Sequence, residues 1–191
     1  MTFAEQAATA MQSYERFRAE ALFALCAFLW QWRYSHLEED LPLQSVVDTA
    51  LLLLQIELLG MDAALRQSLD AADLPSVERL LFPRNAVVVS AVRERLMQAK
   101  EYYLLSQVLS SKGLPAVLQP GSGVSQAQAT QWLDEALSLW TQLSAGELVD
   151  VHGDTRSLRD AVATLSQLGA EDADGLLWKY AGRLCRISAQ E

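Results

Sequence analysis

The sequence predicts an all-α fold: a helical bundle of seven or eight helices in a single compact domain. Apolar residues recur at threes and fours over long stretches, and no segment keeps the two-residue alternation of a strand. Leucine and alanine, both strong helix formers, dominate an apolar fraction of 51%. The 9 Gly and 5 Pro are grouped in a few places, which leaves long uninterrupted elements between short breaks.

The first helix starts near Phe3. Its apolar positions Phe3, Ala7, Ala10, Tyr14, Phe17, Ala21, Ala24 and Phe28 form one helical stripe, with Glu15, Arg16, Arg18 and Glu20 off it. From residue 21 to residue 32 the helix is apolar on nearly every side. Such a helix belongs in the middle of a bundle, or its outer side meets a partner, and the central position is the expectation here. The charged run RYSHLEEDLP (33–42) ends it. A second helix, opening at Asp40 or Pro42, runs to Leu59 with Gly60 as its C′ residue. Residues 46–59 are again apolar on most faces, so periodicity does not say which faces of 21–32 and 46–59 are exposed. Two short helices follow, 63–71 capped by Asp62 and 75–82 stopped by Pro83. Asn85 reads as the N-cap of a long helix, 86–112, extended back over VVVSAV and closed by Gly113. GLPAVLQPGSGVS (113–125) is the clear breaker, with three Gly and two Pro, and divides possible sub-bundles 1–112 and 126–191. Ser125 and Gln128 form a capping-box pattern before a helix with Trp132, Leu133, Ala136, Leu139, Trp140 and Leu143 on one face, ending before Gly146. The last two helices span 155–168, closed by Gly169, and 172 to about 187.

The net charge of −9 and a pI of about 4.7 argue against nucleic acid, because binding it takes a basic face that releases counterions. An anionic membrane surface is disfavoured on the same ground. Cys26 and Cys185 lie far apart in apolar helical settings and read as free thiols in a reducing compartment. MTFAEQAATA lacks the basic start of a secretory signal. The apolar runs 21–30 and 46–54, the latter broken by Asp48, fall short of the roughly 20 residues of a membrane span. The expected location is therefore cytoplasmic.

Asp150-Val-His-Gly-Asp154 is similar to the Asp-x-His-Gly run that opens metallophosphoesterase metal sites, where the resemblance implies Asp150, His152 and Asp154 as candidate metal ligands. That family also needs later Gly-Asp, Gly-Asn-His and lone His ligands. Only 41 residues follow Asp150, and His152 is their single histidine. The segment is therefore expected to be a turn, with Gly153 for the bend and Asp154 or Thr155 as N-cap. His36 stands beside Glu38, Glu39 and Asp40, a set expected in a solvated loop. Two His, two Cys in apolar settings and no Gly-rich phosphate cradle leave no catalytic kit, so no catalytic residue, metal or other cofactor is expected.

Trp30, Trp32 and Tyr34 cannot share one face, because a helix turns about 200° over two residues. An outward-facing member of this set would anchor an interface. Tyr102 and Tyr103 lie with Arg93 and Arg95 on the 84–112 segment, a net positive stretch. These seven residues are the candidate partner-binding set. The expected function is a non-catalytic protein–protein interaction module, of the adaptor, assembly-factor or chaperone-like kind, whose partner is another protein or a second copy meeting it at the first helix. The alternative is a small-molecule-binding or enzymatic helical domain with an apolar pocket lined by Trp132, Trp140 and Trp178.

Overall fold

A computed structural model describes residues 3–36, 41–69, 74–81, 85–119, 123–153, 156–168 and 175–189. Among them the chain forms nine helices and no strand. These are α1 (Phe3–Ser35), α2 (Leu41–Leu59), α3 (Ala63–Ser68), α4 (Val77–Leu81), α5 (Val89–Gln98), α6 (Tyr102–Leu118), α7 (Gln126–Ser144), α8 (Ser157–Leu168) and α9 (Leu176–Ser188). They divide into two compact units, 1–88 and 89–191, so the 113–125 segment lies inside the second unit.

In the first unit α1 packs on α2 and touches α3, while α2 also packs on α4. The buried positions of α1 are Ala19, Cys26, Trp30 and Arg33, a narrow face in its C-terminal half. The long stripe from Ala7 to Phe28 lies about 160° round the helix from that face. It is exposed, so α1 is not the central helix of a bundle. α2 contributes Val47, Leu51, Leu52, Ile56 and Leu58 to the core. Gly60 follows it outside the left-handed region. By length and composition α2 is apolar enough to cross a membrane, with a mean hydropathy of 1.3 over Pro42–Leu59. Its polar side chains are nevertheless held by protein groups. The Arg33 Nε donates to Asp48 Oδ1 at 2.6 Å, and Gln55 donates to the Pro75 carbonyl at 2.8 Å.

Asp48 and Thr49 also explain why no helix extends back over Val87 and Val88. The Ala86 N–H donates to Asp48 Oδ2 at 2.8 Å, and the Val88 N–H to the Thr49 hydroxyl at 2.9 Å. Two backbone donors of an extended strap are thus spent on α2. Asn85 does not cap α5; its amide donates to the Leu81 carbonyl at the end of α4.

In the second unit the expected long helix breaks after Gln98. The Glu101 N–H reaches back to the Leu96 carbonyl at 2.9 Å and the Lys100 N–H to Met97 at 3.2 Å, the paired bonds of a Schellman ending. Its left-handed position is Lys100, at φ 58°, where glycine is usual. α7 ends in the same motif with a glycine, Gly146, at φ 69°. Gly113 does not close α6. The helix runs on through Pro115 to Leu118, and Gly113 is buried where α6 meets α7. A Cβ there would stand 2.9 Å from the Ala129 carbonyl oxygen and 2.9 Å from Leu133 Cγ. Glycine serves close packing here rather than chain reversal. Leu105, Val108 and Leu109 of α6 and Leu133, Ala136, Leu137 and Trp140 of α7 make the core of this unit. Ser125 caps α7, accepting from the Gln128 N–H at 3.2 Å. α8 packs on α6 and α7, and α9 on α7 and α8.

Candidate functional site

Asp150 is buried, and both carboxylate oxygens accept backbone N–H groups: Oδ2 from Tyr103 at 2.8 Å and Oδ1 from His152 at 3.0 Å. The Tyr103 N–H is one of the unpaired donors of the first turn of α6. Asp150 therefore caps a helix from 47 residues away, with its charge at the positive end of the helix dipole. Gly153, at φ 72°, makes the bend. Asp154 and Thr155 lie outside the described residues. Among the described residues, no three His, Cys, Asp or Glu are grouped to share a metal ion.

Glu101, beside the cap, is buried and its Oε1 lies 3.0 Å from His152 Nε2. Burial pushes its carboxyl above the usual range; His152 opposes this and the Asp150 charge adds to it. The Tyr103 hydroxyl donates to Asp160 Oδ2 at 2.6 Å, and Gln107 donates to the same oxygen at 2.8 Å. Burial, then Asp160, holds the Tyr103 phenol well above its ordinary value. The cluster joins the start of α6, the 150–153 turn and α8. Among the described residues the His152 ring meets no hydroxyl or thiol, so a hydrogen-bonded nucleophile–base pair is not assembled around it.

The raised Glu101 pKa has a sign that can be tested. Its contribution to stability is present at low pH and is lost as pH rises through the folded-state pKa, since ionisation inside the fold carries a desolvation cost. Glu101→Gln keeps an acceptor for the His152 ring and cannot ionise. Its Tm relative to wild type is expected to rise as pH increases upward from the ordinary carboxylate range of about 4. Parallel thermal melts across that range check it, and a flat difference would place the burial effect elsewhere.

The seven aromatic and basic candidates are divided between the two units, with Trp30, Trp32 and Tyr34 in the first and Arg93, Arg95, Tyr102 and Tyr103 in the second. Trp30 is 2% exposed and lies in the core of the first unit, with the Arg33 guanidinium 5.3 Å from its ring centroid. Trp32 is half-buried and stacks on His36 at 4.7 Å. Tyr34 is exposed and stacks on Trp30 at 5.6 Å. Arg93 is exposed but pairs with Glu135 at 2.8 Å, Arg95 is exposed, and Tyr102 is half-buried. Tyr103 is half-buried, with its hydroxyl donated to Asp160.

The three tryptophans expected to line a pocket do not converge. Trp140 is in the core, Trp132 is half-buried, and Trp178 is 86% exposed. None lines either of two apolar cavities. One, of about 430 Å³, lies between Gln55 and Leu58 of α2, Arg66 of α3 and Pro75–Val77. The other, of about 450 Å³, lies between α8 and α9.

Among the described residues of the first unit, the longest run of exposed apolar side chains lies on α1. Met11, Tyr14, Phe17, Leu25 and Phe28 are between 46% and 69% exposed, and Ala7, Ala10, Ala21 and Ala24 along the same helix are exposed too. Residues 5–14 are exposed all round. The spacing that identified this stripe was legible; its outward direction was not. No protein-family model matches the chain, and no curated protein or solved structure matches it significantly.

Proposed function

We propose that the protein is a non-catalytic protein–protein interaction module of the adaptor or assembly-factor kind, and that it binds through the outward stripe of α1. The observation that carries this reading is one row of exposed apolar side chains along α1, alanines set among Met11, Tyr14, Phe17, Leu25 and Phe28, with no cover from the described chain. Isolated exposed apolar residues are ordinary, but a contiguous apolar patch marks a binding surface. Arg18 stands at its edge, tied to Glu57 at 2.9 Å and near Glu15 at 3.8 Å, which gives the stripe a polar rim. The rest of the first unit acts as the base that holds α1, clamped by the Arg33–Asp48 pair.

Gentle purification from the native source, followed by native mass spectrometry of wild type and Phe17→Glu, tests the reading. Wild type is expected in a stoichiometric complex, with another protein or with itself, that Phe17→Glu loses at unchanged helix content. A buried aromatic anchor of this kind carries ~2 kcal/mol or more of binding. A bare wild-type monomer, or a complex indifferent to the substitution, would overturn it.

A second reading is favoured by one observation. Gln55 Oε1 and Arg66 Nε, at the cavity beside α2, are buried and take no hydrogen bond among the described residues. A small ligand offering a donor and an acceptor, such as a carboxamide, would complete both. A mass adduct lost on Gln55→Leu would favour this alternative.

A further inference from the structure

We infer that the outward stripe of α1 binds a second copy of the same chain, antiparallel, about a two-fold axis midway between Tyr14 and Phe17. This rests on the reading of α1 as the binding face and names its occupant. The stripe Ala7, Ala10, Tyr14, Phe17, Ala21, Ala24, Phe28 steps by three and four, the spacing of a two-helix seam. In an antiparallel pair in which opposed positions sum to 31, Ala7 faces Ala24, Ala10 faces Ala21, and Tyr14 faces Phe17. Position 3, a phenylalanine in the sequence, falls opposite Phe28. Small meets small and large meets large at every layer. A parallel in-register pair matches any sequence to itself, so such a match carries no information. An antiparallel match needs the order of sizes to read the same in both directions, and this stripe has that order.

Charge and area agree. At the flanks of the seam this register sets Met11 by Arg18 and Ser13 by Glu20, so no like charges are opposed. Arg18 keeps its partners Glu15 and Glu57 on its own protomer. Antiparallel helices also align their dipoles favourably. The alanine layers permit close approach of the two backbones, and from residue 7 to residue 28 the seam is about 32 Å long. At their present exposures Tyr14, Phe17 and Phe28 offer on the order of 400 Å² per protomer. Met11, Leu25 and the alanines bring the total for two copies past the ~1,000 Å² that a specific interface needs. The face of α1 packed on α2 lies on the other side of the helix, so both contacts form at once.

Thiol cross-linking reads the register directly. The background is the full chain with Cys185→Ser, because Cys185 is exposed, whereas Cys26 is buried and its thiol is pushed up to about 11 by that burial. In it are placed Ala10→Cys, Ala21→Cys, and both together. A short bis-maleimide is expected to convert most of the double variant to covalent dimer and to leave each single variant below a tenth of that. Within one helix the two thiols are about 16 Å apart, too far for the reagent. Mixing the two singles is expected to restore the dimer. Self-linking of Ala10→Cys alone would make the pair parallel and overturn the proposal. So would absence of any cross-link together with a monomer in sedimentation equilibrium at high micromolar concentration. If that monomer still carries another protein that Phe17→Glu releases, the interaction reading stands and only the second copy falls.

Discussion

Asp48→Ala is expected to cost about 3–5 kcal/mol of stability, the range for removing one partner of a buried ion pair. The Asp48 side chain is fully buried and that of Arg33 is 5% exposed, so little water reaches either. Without the carboxylate, the guanidinium is left with its 3.4 Å bond to the Leu80 carbonyl and the face of Trp30 among its contacts, and neither supplies a compensating negative charge. The Ala86 N–H loses its acceptor as well, which releases the strap that Asp48 and Thr49 hold against α2. Two effects are therefore mixed in the single variant, and a second variant separates them. Arg33→Met with Asp48→Leu removes both charges and keeps apolar volume. It is expected to recover most of the loss, because such a replacement is often close to neutral. Urea unfolding of the three proteins by circular dichroism measures this. If the double variant stays as unstable as Asp48→Ala, the strap rather than the ion pair is what Asp48 supports.

The sequence showed this pair only in half. An aspartate amid VVDTALLLL signals a buried charge in need of a partner. Arg33 lies 15 residues earlier, past a charged run, and nothing local links the two. Features written in local chemistry were legible: Asp62 and Ser125 as caps, Gly146 at the end of α7, the helical class itself. The break at Lys100 was hidden because a left-handed lysine costs about 1–2 kcal/mol and appears only when tertiary contacts over-determine it. Here the contacts are Asp150 on the next helix start and the bond from the Val151 N–H to the Lys100 carbonyl at 3.2 Å. DVHGD reads as a turn with Asp154 or Thr155 as the cap of the following helix. The turn at Gly153 is present and those two residues lie outside the described ones, but Asp150 itself caps a helix far back in the chain, where spacing cannot point. The stripe of α1 carries the same lesson for the candidate site. A period of three and four says that a helix has an apolar face. It does not say whether the face meets the same chain or another.

Gly113 is the residue where two rules of opposite sign meet, and substitution there decides between them. Helix propensity alone predicts that Gly113→Ala stabilises α6 by roughly 0.5–1 kcal/mol. Packing predicts the reverse, because the added Cβ falls 2.9 Å from the Ala129 carbonyl oxygen, a backbone atom that cannot rotate away. Relief requires α7 to move off α6, and these helices carry the core of the second unit. Overpacking of this kind costs about 1–3 kcal/mol, so Gly113→Ala is expected to destabilise, and Gly113→Val to reach ~3 kcal/mol. Gly182, in the middle of α9, is the control. Nothing lies within 4 Å of a Cβ there, so Gly182→Ala is left with the propensity gain alone. Thermal melts of the two alanine variants should therefore shift in opposite directions. A stabilised Gly113→Ala would mean that α6 and α7 stand further apart, and that the glycine marks a helix end after all.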